Sequence, residues 1–217
     1  MRSAPVVLLT GFEPFGGEDS NPSWATVQRV RDAWTGDASV HVRELPVEFG
    51  RVGEALAAAM QDTSPDIVIC VGQAGGTRDI HLERVAINVD DARIPDNAGF
   101  QPIDSPIIDG APDGYFSTLP IKAAVAAIEA LGIPAAVSHS AGTFTCNHVF
   151  YRLMHTLRDG HRGVRGGFVH VPYSAEQAAG TDRPSLPIES MVLAVTAVIE
   201  ATLANVTDAK LVGGALH

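Results

Sequence analysis

Short apolar runs alternate along this chain with longer stretches in which apolar residues recur every three or four positions. Six runs have strand length: Val6–Thr10, Val40–Val47, Asp66–Val71, Leu82–Val89, Ala135–Ser138 and Gly167–Val171. Between them the helical period predicts helices over Pro22–Trp34, Phe49–Met60, Pro120–Leu131, Cys146–Arg158 and Pro187–Val206. Three of these open on proline, whose fixed φ and missing N–H suit a first helical turn. Strand and helix in alternation predict an α/β fold, a mostly parallel sheet covered by helices. At 217 residues the chain is expected to be a single domain over 1–217. One segment breaks the rhythm. Asp90–Thr118 carries six Asp, several Gly and Pro clusters and little periodicity, and long loops of this kind are usually functional or interfacial.

Composition narrows the function classes. With 46% apolar and 18% charged residues there is ample material for a core, which excludes a disordered chain. The net charge of −10 lacks the basic footprint that nucleic acid or an anionic membrane requires. No apolar run approaches a membrane span, and the start MRSAPVVLLT is too weakly apolar for a secretory signal, so a cytoplasmic protein is expected. Two cysteines cannot build a disulfide framework, and neither sits at zinc-ligand spacing with a histidine.

Each cysteine is therefore weighed alone. Cys70 lies inside DIVICVG, the apolar run of a central strand, and reads as inert core. Cys146 opens a predicted helix and lies above Val149, Phe150 and Leu153 on its buried face, so its sulfur points toward the end of the sheet. A helix N-terminus favours negative charge by roughly 0.3–1 kcal/mol, which suits a thiolate nucleophile. A small packed core residue is the competing reading.

A nucleophilic cysteine needs a base. His148 faces the other side of the helix from Cys146, while His155, His161 and His217 read as solvated surface. His139 and His170 both end strands, where open α/β sheets place their ligand crevice, and Pro172 stops the His170 strand at once. For a group to orient the histidine, alternation in HLERVAINV puts Glu83 on an apolar strand face with Val85, Ile87 and Val89. A carboxylate there needs a partner. The glycine loops GFEPFGG and GQAGGT match neither a P-loop nor a dinucleotide fingerprint. GFEPFGG instead places Phe12 and Phe15 on a rim loop, and Phe144 precedes Cys146 by two, which suggests a flat apolar slot unless the rings simply pack the core.

LLTGFEPFGG at 8–17, NPS at 21–23, ERVAINVDDARIPDN at 83–97, YFSTLP at 115–120, SAGTFTCNHVFY at 140–151 and GFVHVPY at 167–173 together resemble the pyroglutamyl peptidase family, cysteine exopeptidases that remove N-terminal pyroglutamate. The resemblance implies a three-layer α/β/α sandwich around a mixed, mostly parallel sheet. It also implies Cys146 as nucleophile, His170 as general base and acid, and Glu83 as the group orienting His170. By the same resemblance Phe12, Phe15 and Phe144 line the lactam slot and Arg93 lies near the reacting carbonyl, with no metal or cofactor needed. The implied partners are peptides with N-terminal pyroglutamate and further copies of the chain, in a dimer or tetramer that uses the Asp90–Thr118 loop and the last helix. Two other readings stand beside it: a nucleoside phosphorylase-like enzyme on a related scaffold, and an inactive binding module for pyroglutamyl peptides.

Overall fold

The computed structural model describes residues 4–160 and 163–214. A six-stranded sheet is formed by β1 (Val6–Phe12), β2 (Ser39–Leu45), β3 (Ile67–Gln73), β4 (Ile80–Glu83), β7 (Ala135–Ser138) and β8 (Arg165–Val171). Their order is β2-β1-β3-β8-β4-β7, and every pairing is parallel except β4 against β8. The expected mixed, mostly parallel sheet is therefore present. Helices α1 (Pro22–Ala33), α3 (Ile121–Ala130) and α5 (Ile188–Ala204) pack on one face around Val27, Ile128 and Val198. Helices α2 (Phe49–Thr63) and α4 (Thr145–Asp159) cover the other around Leu56, Phe150 and Leu153. The result is three layers with two cores, one on each side of strands such as β3 that are buried on both faces.

Local chemistry fixes the element ends. Asn21 caps α1 by accepting from the Ser23 amide at 3.0 Å, with Pro22 in the first turn. The α2 amide of Phe49 finds its acceptor far away in sequence, in Asp96 Oδ2 at 2.9 Å. Asp208 in the C-terminal segment caps α3 by accepting from the amides of Lys122 and Ala123.

Two departures from the predicted elements matter. The strand predicted over Leu82–Val89 is two strands, because the chain leaves the central sheet at Arg84. It resumes as β5 (Val85–Ile87), which pairs antiparallel with β6 (Gly114–Phe116). Val85, Ile87 and Val89 thus do not share a sheet face with Glu83. The aperiodic segment is also more structured than its pattern suggested: it holds β6 and a bridge between Asp90 and Ser105. A further short pair joins β9 (Tyr173–Ser174) to β10 (Ser185–Leu186), both too short to show a period. Among the described residues no helix is long and apolar enough to cross a membrane.

Candidate active site

Strand ends and one helix start converge at the carboxyl edge of the sheet. β8 delivers His170 and β4 delivers Glu83, both essentially buried, and His170 Nδ1 lies 2.8 Å from Glu83 Oε1. The Nδ1–H thus donates to the carboxylate and leaves Nε2 for Cys146, whose sulfur packs on Gly72, the register neighbour of His170. Burial alone would pull the imidazole pKa down. Hydrogen bonding to Cys146 and its negative charge, then the Glu83 hydrogen bond and charge, outweigh that and push it up to about 10. The pairing favours the imidazolium form of His170.

Cys146 sits in the first turn of α4, half-buried. Among the described residues no side chain caps this helix, and its first backbone hydrogen bond runs from the His148 amide to the Phe144 carbonyl. The amides of Thr145, Cys146 and Asn147 have no intrahelical acceptor, as at any helix start, and Thr145 and Cys146 line the cleft. The sulfur packs directly on Gly72, where a Cβ would lie 2.8 Å from Sγ and 2.7 Å from the Phe168 ring. Only glycine admits the sulfur at that position of β3. Cys70, one turn of the pleat away, is fully buried, and burial pushes its thiol up to about 12.

These groups open onto a cleft of about 440 Å³. Phe12, Phe15 and Phe144 all line it, as do Val47 and Ile94. Phe15 and Phe144 stand 6.1 Å apart, tilted by 34°, and Phe144 meets Phe49 edge-on at 5.2 Å. Phe12 is not on a loop as its glycine-rich context suggested; it is the last residue of β1, buried against Phe168. Arg93 lines the same cleft from the long loop and is exposed to solvent.

The loop is held in place by α4. Fully buried Asn147 accepts from the Ile87 amide at 3.0 Å and donates to the carbonyls of Ile87 and Val89. His148 Nδ1 lies 2.8 Å from Asp90 Oδ2, and the Asp91 amide donates to Thr143. His148 does face away from Cys146, but it is a buried partner of Asp90. His155 is likewise no solvated surface group, since its Nδ1 is 2.8 Å from the Tyr115 hydroxyl. His139 is exposed, and His161 and His217 lie outside the described residues. Local pattern gave no sign of His81 and Gln73, which also line the cleft. Only the antiparallel register of β4 on β8, which puts His81 opposite His170, reveals the first.

The profile of the pyroglutamyl peptidase family matches residues 6–205. The chain belongs to the pyroglutamyl peptidase family. A pyrrolidone-carboxylate peptidase of Clavibacter michiganensis subsp. michiganensis is 64% identical over 98% of this chain and 99% of its own length. One from Erwinia tasmaniensis is 53% identical over 97% and 99%. The crystal structure of pyroglutamyl peptidase I from Bacillus amyloliquefaciens superposes with a TM-score of 0.93 at 46% identity, covering 96% of this chain and 99% of that one. Pyrrolidone carboxyl peptidase from Thermococcus litoralis gives 0.91 at 37%, over 95% and 99%. Membership makes the chain a cysteine-type peptidase. Neither the phosphorylase-like reading nor the inactive binding module finds support among these relatives of the family.

Proposed function

We propose that this peptidase removes N-terminal pyroglutamate from peptides through a thioester, with Cys146 as nucleophile, His170 as acid and base, and Glu83 holding the His170 ring. The observation that carries the roles is the buried Glu83–His170 hydrogen bond at 2.8 Å, with the Cys146 sulfur packed on Gly72, the register neighbour of His170. The Cys146 thiolate attacks the pyroglutamyl carbonyl carbon, and the first-turn amides of α4, with Arg93 beside them, stabilise the oxyanion. Collapse expels the amine, which takes the proton from His170 Nε2. The now neutral ring accepts a proton from water as the oxygen attacks the thioester, and departure of Cys146 as thiolate restores the starting pair.

Pyroglutamate is a flat, neutral lactam, and the wall of Phe12, Phe15 and Phe144 suits its faces. Free N-terminal Glu brings an ammonium and a carboxylate into an apolar slot, and Pro brings a cationic ring without the lactam carbonyl. Hydrolysis of pyroglutamyl, prolyl and glutamyl 4-methylcoumarylamides under one set of conditions tests this. The reading expects the last two to be rejected by at least about 10³-fold in kcat/KM. A prolyl rate comparable to the pyroglutamyl rate overturns it.

The same reading takes the chain as one α/β unit acting in the cytoplasm as a homo-oligomer of dimer or tetramer size. Both cysteines are free thiols, as a reducing compartment keeps them. Leu193 on α5 and Phe100 and Ile103 in the long loop are exposed large apolar residues, which supports an interface there. Light scattering that returned the monomer mass at micromolar protein would reject the oligomer.

A further inference from the structure

His81 is an ionisable side chain in the cleft that the mechanism leaves unused. On β4, Ile80 and Leu82 point into the core beneath α1, α3 and α5, so His81 points to the opposite face, as Glu83 does. Its register partner across the antiparallel pairing is His170. Directly opposed residues hold their Cβ atoms about 4.5–5.5 Å apart, so the two imidazoles stand side by side at the sheet edge. Yet the His81 side chain makes no hydrogen bond, ion pair or ring contact with any described residue, although it is half-buried and lines the cleft. His148, His155 and His170 all have such a partner. A half-buried imidazole without one is a polar group waiting for a ligand.

Gln73 supplies a second donor on the other flank of β8. Its Oε1 accepts from Gln177 Nε2 at 3.1 Å, which leaves the Gln73 amide N–H groups for the cleft it lines. The proposed chemistry fixes what lies between these groups. The aromatic wall takes the lactam, and His170 must touch the leaving nitrogen to protonate it. The residue carrying that nitrogen then extends over the remaining polar part of the cleft, beside His170.

We propose that His81 and Gln73 form the subsite for the residue that follows pyroglutamate, and that it favours a side chain with a carbonyl acceptor, such as Asn, over an aliphatic one. The inference rests on the pyroglutamyl reading above. An imidazole offers at least one N–H in either protonation state and the Gln73 amide two, so an acceptor side chain gains at least one hydrogen bond that a leucine cannot make. One net hydrogen bond corresponds to about a threefold to tenfold preference.

The test is the ratio of kcat/KM for pyroglutamyl-Asn-Ala amide to that for pyroglutamyl-Leu-Ala amide, measured on wild type, His81→Leu and His81→Asn. The expected ratio is about three to ten in wild type. It should fall in His81→Leu, where only the Gln73 donors remain, and recover at least in part in His81→Asn, which restores a donor. Because the ratio is internal to each variant, a uniform loss of activity leaves it unchanged. An equal rate on both peptides in wild type, or the same ratio in His81→Leu as in wild type, overturns the subsite. Failure of wild type to cleave either peptide instead overturns the pyroglutamyl reading, and the subsite with it.

Discussion

Replacing Gly72 by alanine tests whether the position of the Cys146 sulfur sets the rate. The added Cβ would lie 2.8 Å from Sγ and 2.7 and 2.9 Å from two atoms of the Phe168 ring, where ordinary contact begins at 3.4 Å. Gly72 is in the interior of the sheet between β1-side and β8-side neighbours, so its backbone cannot retreat, and the sulfur must move by about 0.6 Å or the ring must tilt. Phe168 is packed between Phe12 and Phe150, at 6.3 and 6.0 Å, which leaves the half-buried sulfur as the softer partner. A shift on the scale of 1 Å in a reacting atom costs about 10²-fold. Overpacking of this kind costs about 1–3 kcal/mol, which in a chain of this size lowers Tm by roughly 2–4 °C per kcal/mol. Gly72→Ala is therefore expected to stay folded at 25 °C and to lose about two orders of magnitude in kcat/KM on a pyroglutamyl arylamide. The rate of Cys146 alkylation by iodoacetamide should fall with it, because His170 no longer meets the sulfur. A folded Gly72→Ala with wild-type kcat/KM would refute the reasoning.

Three further outcomes follow from the same geometry. The His170 value of about 10 puts the alkaline limb of kcat/KM where that imidazolium loses its proton. Glu83→Gln removes one of the groups that raise it, so the limb should move to lower pH. Since the folded value is raised, by Cys146 first and Glu83 after it, the stabilisation from the charged His170 ring is complete below about pH 6.5 and is lost as pH rises toward 10; urea midpoints across that window should show the decline in wild type and a flatter profile in Glu83→Gln. Iodoacetamide followed by peptide mapping should label Cys146 and spare Cys70 in the native protein, because burial pushes the Cys70 thiol up to about 12; equal labelling of both would contradict the assignment. His148→Ala leaves buried Asp90 without its partner and should cost about 1–3 kcal/mol by thermal or urea unfolding, whereas a loss under about 0.5 kcal/mol would mean that the pair is not a structural tie.

The layered architecture was legible because both periods are long and clean: β3 is apolar from Ile67 to Val71, and α4 and α5 repeat their apolar positions over four turns or more. Cys146 and His170 were legible for a topological reason, since helix starts and strand ends meet at one edge of a parallel sheet. Glu83 was singled out by an alternation that in fact stops one residue later. Its burial is real, but the residues counted beside it belong to another sheet, and nothing in VAINV marks the crossover at Arg84. The partners of His148 and His155 were invisible for a different cause: Asp90 and Tyr115 lie 58 and 40 residues away, in a segment with no period to place them. Asp96 is the same case, a helix cap for α2 supplied from 47 residues on. His81 required the register of an antiparallel pair inside an otherwise parallel sheet, which no local pattern reports.

The central claim is that one thiol carries the chemistry, and the most direct measurement compares wild type with Cys146→Ala on a pyroglutamyl peptide, with folding of both confirmed by circular dichroism. Products are quantified by mass spectrometry as free pyroglutamate and the shortened peptide. The account predicts that wild type releases both in equal amounts and that folded Cys146→Ala releases neither above the no-enzyme control. Release of pyroglutamate by folded Cys146→Ala at a rate within tenfold of wild type would contradict it.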